Sequence, residues 1–195
     1  MNMLNPQFST WPSEKAQLVR LLLASPGKYA IEIGCFRGVT SLFLAEACKA
    51  AGKILICIDP WNNSQDWSDD SVYYYFLETI APVKDQIVVV RATSDAALPK
   101  LPPDLKTAGC GLIFVDGDHS YEGAKRDLVN YYPLLSTGGV MAVHDVFDLG
   151  WKGVGQAVEE FIGPGMSVFY HRYVPTPQER RDYQHGVSGL AWWYK

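Results

Sequence analysis

The sequence is poor in the features that mark several large classes of protein. It has only four cysteines in 195 residues, and they form neither a CxxC pair nor the spacing of a zinc site. A disulfide scaffold is therefore not expected, and the four thiols are predicted to be buried and reduced. No apolar run approaches the ~20 residues that span a bilayer, and residues 1–12 lack the basic and apolar regions of a signal peptide. These absences predict a cytoplasmic protein with no membrane partner.

An excess of charge of one sign is also missing. The 17 basic and 21 acidic side chains give a net charge of −4, so a nucleic-acid partner held by bulk charge is not expected. Hydrophobic residues make up 48% and charged residues 19% of the chain, a balance typical of globular proteins. A chain of this length is enough for one domain with a substantial core.

Five short apolar runs alternate with helical patterns. The runs begin at Tyr29, Ile54, Ile87, Leu112 and Val140. They are apolar at nearly every position, which indicates strands covered on both faces. Alternation with helices then predicts an α/β fold with a doubly wound, mostly parallel sheet. Two further runs, 166–174 and 187–194, have no helix between them and predict a C-terminal antiparallel hairpin.

The first strand leads into the loop Glu32-Ile-Gly-Cys-Phe-Arg-Gly. Gly34 and Gly38 allow a tight turn and a close approach of the backbone to a ligand. The dinucleotide fingerprint G-x-G-x-x-G is absent, since position 36 is Phe. Asp59 ends the second strand, where a carboxylate can accept both hydroxyl protons of a ribose. Its alternative role is to cap the turn that follows.

Ionisable side chains are concentrated at the ends of the fourth and fifth strands. Asp116, Asp118 and His119 lie within four residues, an arrangement that is costly unless function or a metal compensates the repulsion. His144 and Asp145 end the next strand. Asp116, His144 and Asp145 form a candidate ligand set, in which carboxylates favour Mg²⁺ or Mn²⁺ and the imidazole favours Mn²⁺, Fe²⁺ or Zn²⁺. Hydrogen-bonded structural histidines are the alternative.

From about residue 30 to 162 the chain resembles the class I S-adenosylmethionine-dependent methyltransferases. The resemblance is greatest to a small family that reads E-I-G-x-x-x-G early and D-G-D-H-x-Y near the fourth strand. It implies a Rossmann-like sheet of seven strands whose last two form the antiparallel hairpin. The single domain then comprises a helical extension (1–28), a cofactor-binding core (29–162) and the strand hairpin (163–195).

The resemblance also implies roles for individual residues toward S-adenosylmethionine. The loop from Glu32 to Gly38, with Gly34 inside it, would face the methionine part, and Asp59 would hold the ribose hydroxyls. Ser94, after the third strand, would flank the adenine. Asp118 would reach the amino group of the cofactor, and Asp116 would belong to both the cofactor site and the metal site.

The chain is similar as well to metal-dependent O-methyltransferases that act on macrolide sugars and catechol-like phenols. In those enzymes the fourth-strand aspartate and an acidic pair after the fifth strand hold Mg²⁺, a pattern that Asp116 and Asp145 match. His144 departs from it, because an acidic residue is usual there. His119 matches the position of the proposed base in the sugar-modifying relatives. The implied function is O-methylation of a small-molecule hydroxyl, with possible help from Mg²⁺ or Mn²⁺.

Three other functions are consistent with these residues. An NAD-dependent oxidoreductase shares the ribose-binding carboxylate but has a richer glycine loop. Asp116, His119 and His144 supply the residue types of a non-haem iron triad. A non-catalytic nucleoside-binding protein is the third alternative.

The motifs assign nearly all of the chain to the cofactor fold, so recognition of the acceptor is expected to come from short insertions and the termini. Tryptophans outside the motifs mark these segments: Trp11, Trp61, Trp67, Trp151 and the pair Trp192-Trp193. The C-terminal hairpin, which ends in Leu190-Ala-Trp-Trp-Tyr, is a candidate edge for a homodimer.

Overall fold

Helices and strands alternate along the chain until the last strand pair. The computed structural model describes residues 10–62, 70–148, 150–174 and 188–195. The helices are α1 (Pro12–Ala24), α2 (Val39–Ala51), α3 (Ser71–Ile80), α4 (Ser94–Ala97), α5 (Leu105–Ala108), α6 (Tyr121–Tyr131) and α7 (Lys152–Phe161). The strands are β1 (Tyr29–Ile33), β2 (Ile54–Asp59), β3 (Ile87–Arg91), β4 (Cys110–Val115), β5 (Leu135–Val143), β6 (Phe169–Tyr173) and β7 (Ser188–Tyr194).

The seven strands form one sheet in the order β3-β2-β1-β4-β5-β7-β6. Strands β1 to β5 are parallel, and β7 is antiparallel to both β5 and β6. The predicted seven-stranded, mostly parallel sheet with a C-terminal antiparallel hairpin is confirmed. Because β7 is hydrogen-bonded on both sides, a homodimer formed by edge pairing at the hairpin would use β6.

The sheet has a hydrophobic core on each face, as its apolar strands predict. Every residue of β1 and β4 is buried. Along β4, Leu112 and Phe114 belong to the core on the side of α1, α2 and α3. Ile113 and Val115 belong to the core on the side of α6 and α7. Continuous apolar runs were therefore the correct indicator of strands covered on both faces.

Two strands begin earlier than their apolar runs. Strand β4 begins at Cys110 rather than Leu112, and β5 begins at Leu135, after helix α6 has ended at Tyr131, rather than at Val140. The segment added to β5 contains Gly138 in the left-handed region at φ +79°. Its pairing with β4 is irregular, with a register shift between Cys110 and Leu112.

Helix α1 starts at Pro12, and a residue of its own first turn caps it. The Thr10 hydroxyl, just before the helix, lies 2.8 Å from the Thr40 hydroxyl. The backbone N–H of Trp11 donates to Oε2 of Glu14 at 2.8 Å. An acidic residue in the first turn thus satisfies one of the unpaired donors of the helix start.

Two further features bear on the sequence analysis: the state of the cysteines and the character of the helices. All four cysteines are buried and free, as their spacing predicted. Among the described residues, no helix combines the length and the apolar character needed to cross a bilayer.

The close approach of Gly34, after β1, to the backbone that follows β4 can be tested by mutation. Its φ is +85°, and an added Cβ would lie 2.1 Å from the carbonyl oxygen of Asp116. We expect Gly34→Ala to lower the free energy of unfolding by more than about 4 kcal/mol, or to prevent folding, because backbone must move. Gly52→Ala is the control: φ is +65° but the space is open, so about 1–2 kcal/mol is expected. Equal losses in urea unfolding would contradict this account.

Candidate functional site

The carboxyl ends of the parallel strands open into one cavity of about 590 Å³. It is lined by all but one of the residues predicted to form the site: Glu32, Gly34, Asp59, Ser94, Asp116, Asp118, His119, His144 and Asp145. The exception is Gly38, which does not line the cavity and where an added Cβ would lie 2.9 Å from the ring of Phe76. The placement follows from the parallel sheet, in which all these strands end at the same edge.

Asp59 organises the glycine loop. Its Oδ2 accepts the backbone N–H groups of Cys35 and Phe36, each at 2.9 Å, and its Oδ1 accepts that of Trp61 at 2.6 Å. Burial raises the pKa of Asp59, and these backbone donors act in the opposite direction. The carboxylate thus performs the turn-capping role, while its contact with a ribose stays a prediction.

Glu32 is a fully buried carboxyl in the wall of the cavity. Burial raises its pKa to about 8, so it is largely neutral at pH 7. Its Oε1 has no hydrogen-bond partner among the described residues, and its Oε2 accepts the Cys57 thiol at 3.7 Å. Glu32, Cys35 and Cys57 also place their possible ligand atoms within 4.8 Å of one another. Burial raises the pKa of both thiols, which keeps them protonated in the metal-free protein.

A second wall of the cavity joins the end of β3 to helix α6. The Tyr131 hydroxyl donates to the backbone oxygen of Ser94 at 2.6 Å. Asp127 lines the cavity with 1% of its surface exposed, and burial raises its pKa to about 6. Asp118 is exposed and accepts the Ser120 N–H at 2.9 Å, 3.6 Å from Arg126. Asp127 was not predicted, because its position within an amphipathic helix carries no signal of the cavity.

His144 is the centre of a cluster of ionisable groups. Its Nδ1 lies 3.1 Å from Oδ1 of Asp116 and 3.3 Å from Oδ1 of Asp145. Its Nε2 lies 3.0 Å from both Oε2 of Glu14 and Oγ of Ser188. Burial acts to lower the pKa of His144, but the charges of Asp116 and Asp145 outweigh it and raise that pKa well above its ordinary value.

His119 completes the cluster. Its Nε2 lies 3.0 Å from Oδ2 of Asp145 and 3.6 Å from Oδ1 of Asp116, and its ring centroid is 4.9 Å from that of Trp151. Burial opposes the charged form, but hydrogen bonds and charge from the two aspartates raise the pKa of His119 to about 10. In this arrangement both nitrogens of the imidazole are protonated at neutral pH, and the ring is positively charged.

Asp145 can reach both imidazoles because of an uncommon backbone conformation. Its φ is +57°, in the left-handed region that Asp enters more readily than most residues. Burial acts to raise the pKa of Asp145, but the neighbouring His144 and His119 hold it well below its usual range. Strain of this kind is typical of functional sites.

The cluster has the donor atoms for a cation. Asp116, His144 and Asp145 each offer one ligand atom, and these atoms lie within 4.8 Å of one another. This set is the one that the sequence predicted as metal ligands. The triad of Asp116, His119 and His144 is not among the groups of described residues that meet this distance.

Glu14 and Ser188 belong to the cluster but were missed in the sequence. Glu14 has no exposed surface and lies 130 positions from His144 in the chain. Ser188 begins β7, and its hydroxyl donates to Oε1 of Glu14 at 3.0 Å. A glutamate in the first turn of a helix indicates capping, which Glu14 does perform, but nothing in the sequence links it to His144.

The tryptophans differ in their relation to the cavity. Trp11 and Trp151 line it. Trp61 is 3% exposed and packs on Phe76, with ring centroids 4.5 Å apart, while Trp193 is fully buried in the core. Trp67 lies outside the described residues.

Comparison with known proteins agrees with this architecture. The model of a family described as "Methyltransferase domain" matches residues 31–146, more than half of the chain. That segment runs from within β1 to just beyond β5 and contains every residue that the sequence predicted for the site.

Solved structures with the same fold cover nearly the whole chain. Cofactor-bound Rv0187 from MTB is 18% identical, with a TM-score of 0.74 over 98% of this chain and 84% of that one. The O-methyltransferase TomG from Streptomyces achromogenes, involved in tomaymycin synthesis and solved with SAM, is 19% identical, with a TM-score of 0.73 over 97% and 83%. An O-methyltransferase from Bacillus cereus, solved with SAH, is 15% identical, with a TM-score of 0.70 over 98% and 84%.

At these identities the solved structures establish the fold alone, whereas the family model matches the motif segment itself. The strand order, the antiparallel hairpin and the motifs at the strand ends all agree with that match. The chain belongs to the methyltransferase domain family, within the class I S-adenosylmethionine-dependent methyltransferases.

Proposed function

We propose that this protein transfers the methyl group of S-adenosylmethionine to a hydroxyl group of a small molecule, with help from a divalent metal. The observation that carries the proposal is that one cavity joins the loop after β1 to the aspartate–histidine cluster after β4 and β5. TomG and the Bacillus cereus enzyme, which share the fold, are O-methyltransferases solved with SAM and SAH.

The cofactor would occupy the half of the cavity lined by β1, β2 and β3. In this proposal the loop from Glu32 to Gly38 faces the methionine part, and Asp59 holds the ribose side. Ser94 flanks the adenine. Asp118 and Asp116 complete the site next to the acceptor. The methyl group of a sulfonium is already activated, so the main task of these residues is to align the two reactants.

The metal would be held by Asp116, His144 and Asp145. Two carboxylates and an imidazole suit Mn²⁺ or another transition ion better than Mg²⁺, which prefers oxygen ligands. When bound, the ion would lower the pKa of the acceptor hydroxyl and offset the carboxylate charge around His119. His119 is the proposed base. His119 can accept a proton at Nε2 only when a bound ion offsets the charge of the two aspartates. Otherwise Asp116 and Asp145 keep both ring nitrogens protonated.

The proposal also includes the class of acceptor, the cellular location and the oligomeric state. The net charge of −4 supports a small-molecule acceptor rather than nucleic acid. The four free, buried thiols are in keeping with a cytoplasmic location. A homodimer through the edge strand β6 remains part of the proposal.

Calorimetry separates the proposed transferase from the alternatives. We expect the purified protein to bind S-adenosylmethionine and S-adenosylhomocysteine and not NAD⁺, because the loop after β1 lacks the glycines of a pyrophosphate cradle. Binding of NAD⁺ but of neither sulfur nucleoside would overturn the proposal in favour of an oxidoreductase.

The pKa of Glu32 predicts a proton released with the cofactor. In the free protein Glu32 is mostly protonated below pH 8, and a nearby sulfonium charge favours its ionised form. At pH 7.5 we expect S-adenosylmethionine to release more protons on binding than S-adenosylhomocysteine, measured by calorimetry in buffers of different ionisation enthalpy. Glu32→Gln should abolish that difference, whereas Glu46→Gln, on the exposed side of α2, should keep it. Equal release by both ligands in the unaltered protein contradicts the placement.

His119 and the metal are tested with whichever compound in a panel of phenols and nucleotide sugars supports release of S-adenosylhomocysteine. We expect His119→Ala to reduce turnover by about 10²–10⁴ while keeping cofactor affinity, since general-base help has that size. His171→Ala, on β6, is the matched control. Full activity of His119→Ala would refute the base, and activity unaffected by both EDTA and Asp145→Ala would refute the metal.

A further inference from the structure

The two nitrogens of His144 face different surroundings. The Nδ1 atom points to Asp116 and Asp145, the proposed metal ligands, at 3.1 and 3.3 Å. The Nε2 atom points to Glu14 of helix α1 at 3.0 Å. His144 is 8% exposed and Glu14 is fully buried, so protein groups rather than bulk water decide which ring nitrogen keeps its hydrogen when the other binds a metal.

A histidine that binds a metal does so through an unprotonated nitrogen, so the other nitrogen must carry the single hydrogen of the neutral ring. At His144 only Nδ1 is close to both aspartates, and it is therefore the atom that would bind. The hydrogen must then be on Nε2, where a carboxylate oxygen lies at hydrogen-bond distance. Carboxylates in this outer position fix the tautomer and ring orientation of metal-binding histidines and increase their basicity.

We propose that Glu14 is a positioning residue that holds His144 with its hydrogen on Nε2 and its Nδ1 lone pair directed at a divalent ion. The inference rests on the proposed metal site and extends it to a helix outside the family match, residues 31–146. A metal-binding imidazole almost always donates its other ring N–H to such an outer partner.

Glu14 is itself held in place by two donors. Its Oε2 accepts the N–H of Trp11 at 2.8 Å, and its Oε1 accepts the hydroxyl of Ser188 at 3.0 Å. One donor comes from the start of α1 and the other from β7. Residues of α1 and of β7 therefore both orient the carboxylate of Glu14 toward His144, so its position does not depend on one contact alone.

Metal affinity is the first test, measured as free Mn²⁺ by electron paramagnetic resonance in the full-length protein. Loss of outer-shell partners typically weakens binding 10–100-fold. We expect Glu14→Ala to raise the Kd for Mn²⁺ toward the upper end of that range. Glu14→Gln, which keeps an acceptor oxygen but no charge, should raise it toward the lower end. If the alanine variant fails to fold, the glutamine variant carries the test. Glu46→Gln is the matched control and should bind as the unaltered protein does.

The second test is the tautomer of His144, that is, which of its ring nitrogens carries the hydrogen. If Glu14 had a purely structural role, its substitution would not change this tautomer. Long-range ¹H–¹⁵N spectra of the ¹⁵N-labelled protein with Zn²⁺ should show His144 protonated at Nε2 and metal-bound at Nδ1. In Glu14→Gln this signature should weaken or become mixed.

The outcomes are separable. Unchanged Mn²⁺ affinity in folded Glu14 variants, or a hydrogen on Nδ1 of His144 in the Zn²⁺-bound protein, overturns the role of Glu14 alone. No Mn²⁺ binding by the unaltered protein overturns the metal site together with this inference. The transferase itself is decided independently by binding of S-adenosylhomocysteine.

Discussion

The contact of His144 with the two strand-end aspartates is the constraint on which the rest of the site depends. Backbone pairing aligns Val115 of β4 with Val143 of β5, so the residues that follow, Asp116 and His144, lie side by side. Two carboxylates at this buried edge repel each other, and the imidazole between them reduces that cost. The same imidazole then requires a partner at its other nitrogen, because an unpaired buried polar atom is expensive. Glu14 meets that requirement and joins helix α1 to the sheet.

Residues on both sides of the central segment therefore complete a site whose other members lie within that segment. The family match covers residues 31–146, which contain the loop after β1 and both clusters after β4 and β5. Glu14 and Ser188 lie outside it and meet each other at 3.0 Å over His144. Trp11 and Trp151 also line the cavity. In the proposed reaction these short segments, which line the cavity beside the aspartate–histidine cluster, are the candidates for recognising an acceptor.

The cavity combines two electrostatic environments that suit different parts of the proposed reaction. On the cofactor side, Glu32 is neutral near pH 7 because burial raises its pKa to about 8, and it can gain charge when a cation approaches. On the acceptor side, His119 is protonated because the aspartates raise its pKa to about 10. Its proposed role as a base thus depends on what else occupies the cluster. Each group responds to the charge of a bound partner, which the reference pKa values of glutamate and histidine do not reveal.

The sequence by itself determined the sheet, since burial on both faces appears as continuous apolar runs, and the edge of that sheet at which the site lies. The strand-end rule placed Glu32, Asp59, Asp116 and His144 around one cavity, because parallel strands end together. Tertiary structure alone decided which of these groups touch. It turned Gly38 toward α3, committed the Asp59 carboxylate to backbone donors, and brought Glu14 to His144 across 130 positions. Periodicity and strand ends are local properties of the chain, whereas these contacts depend on how α1 packs and on β7 entering the sheet beside β5.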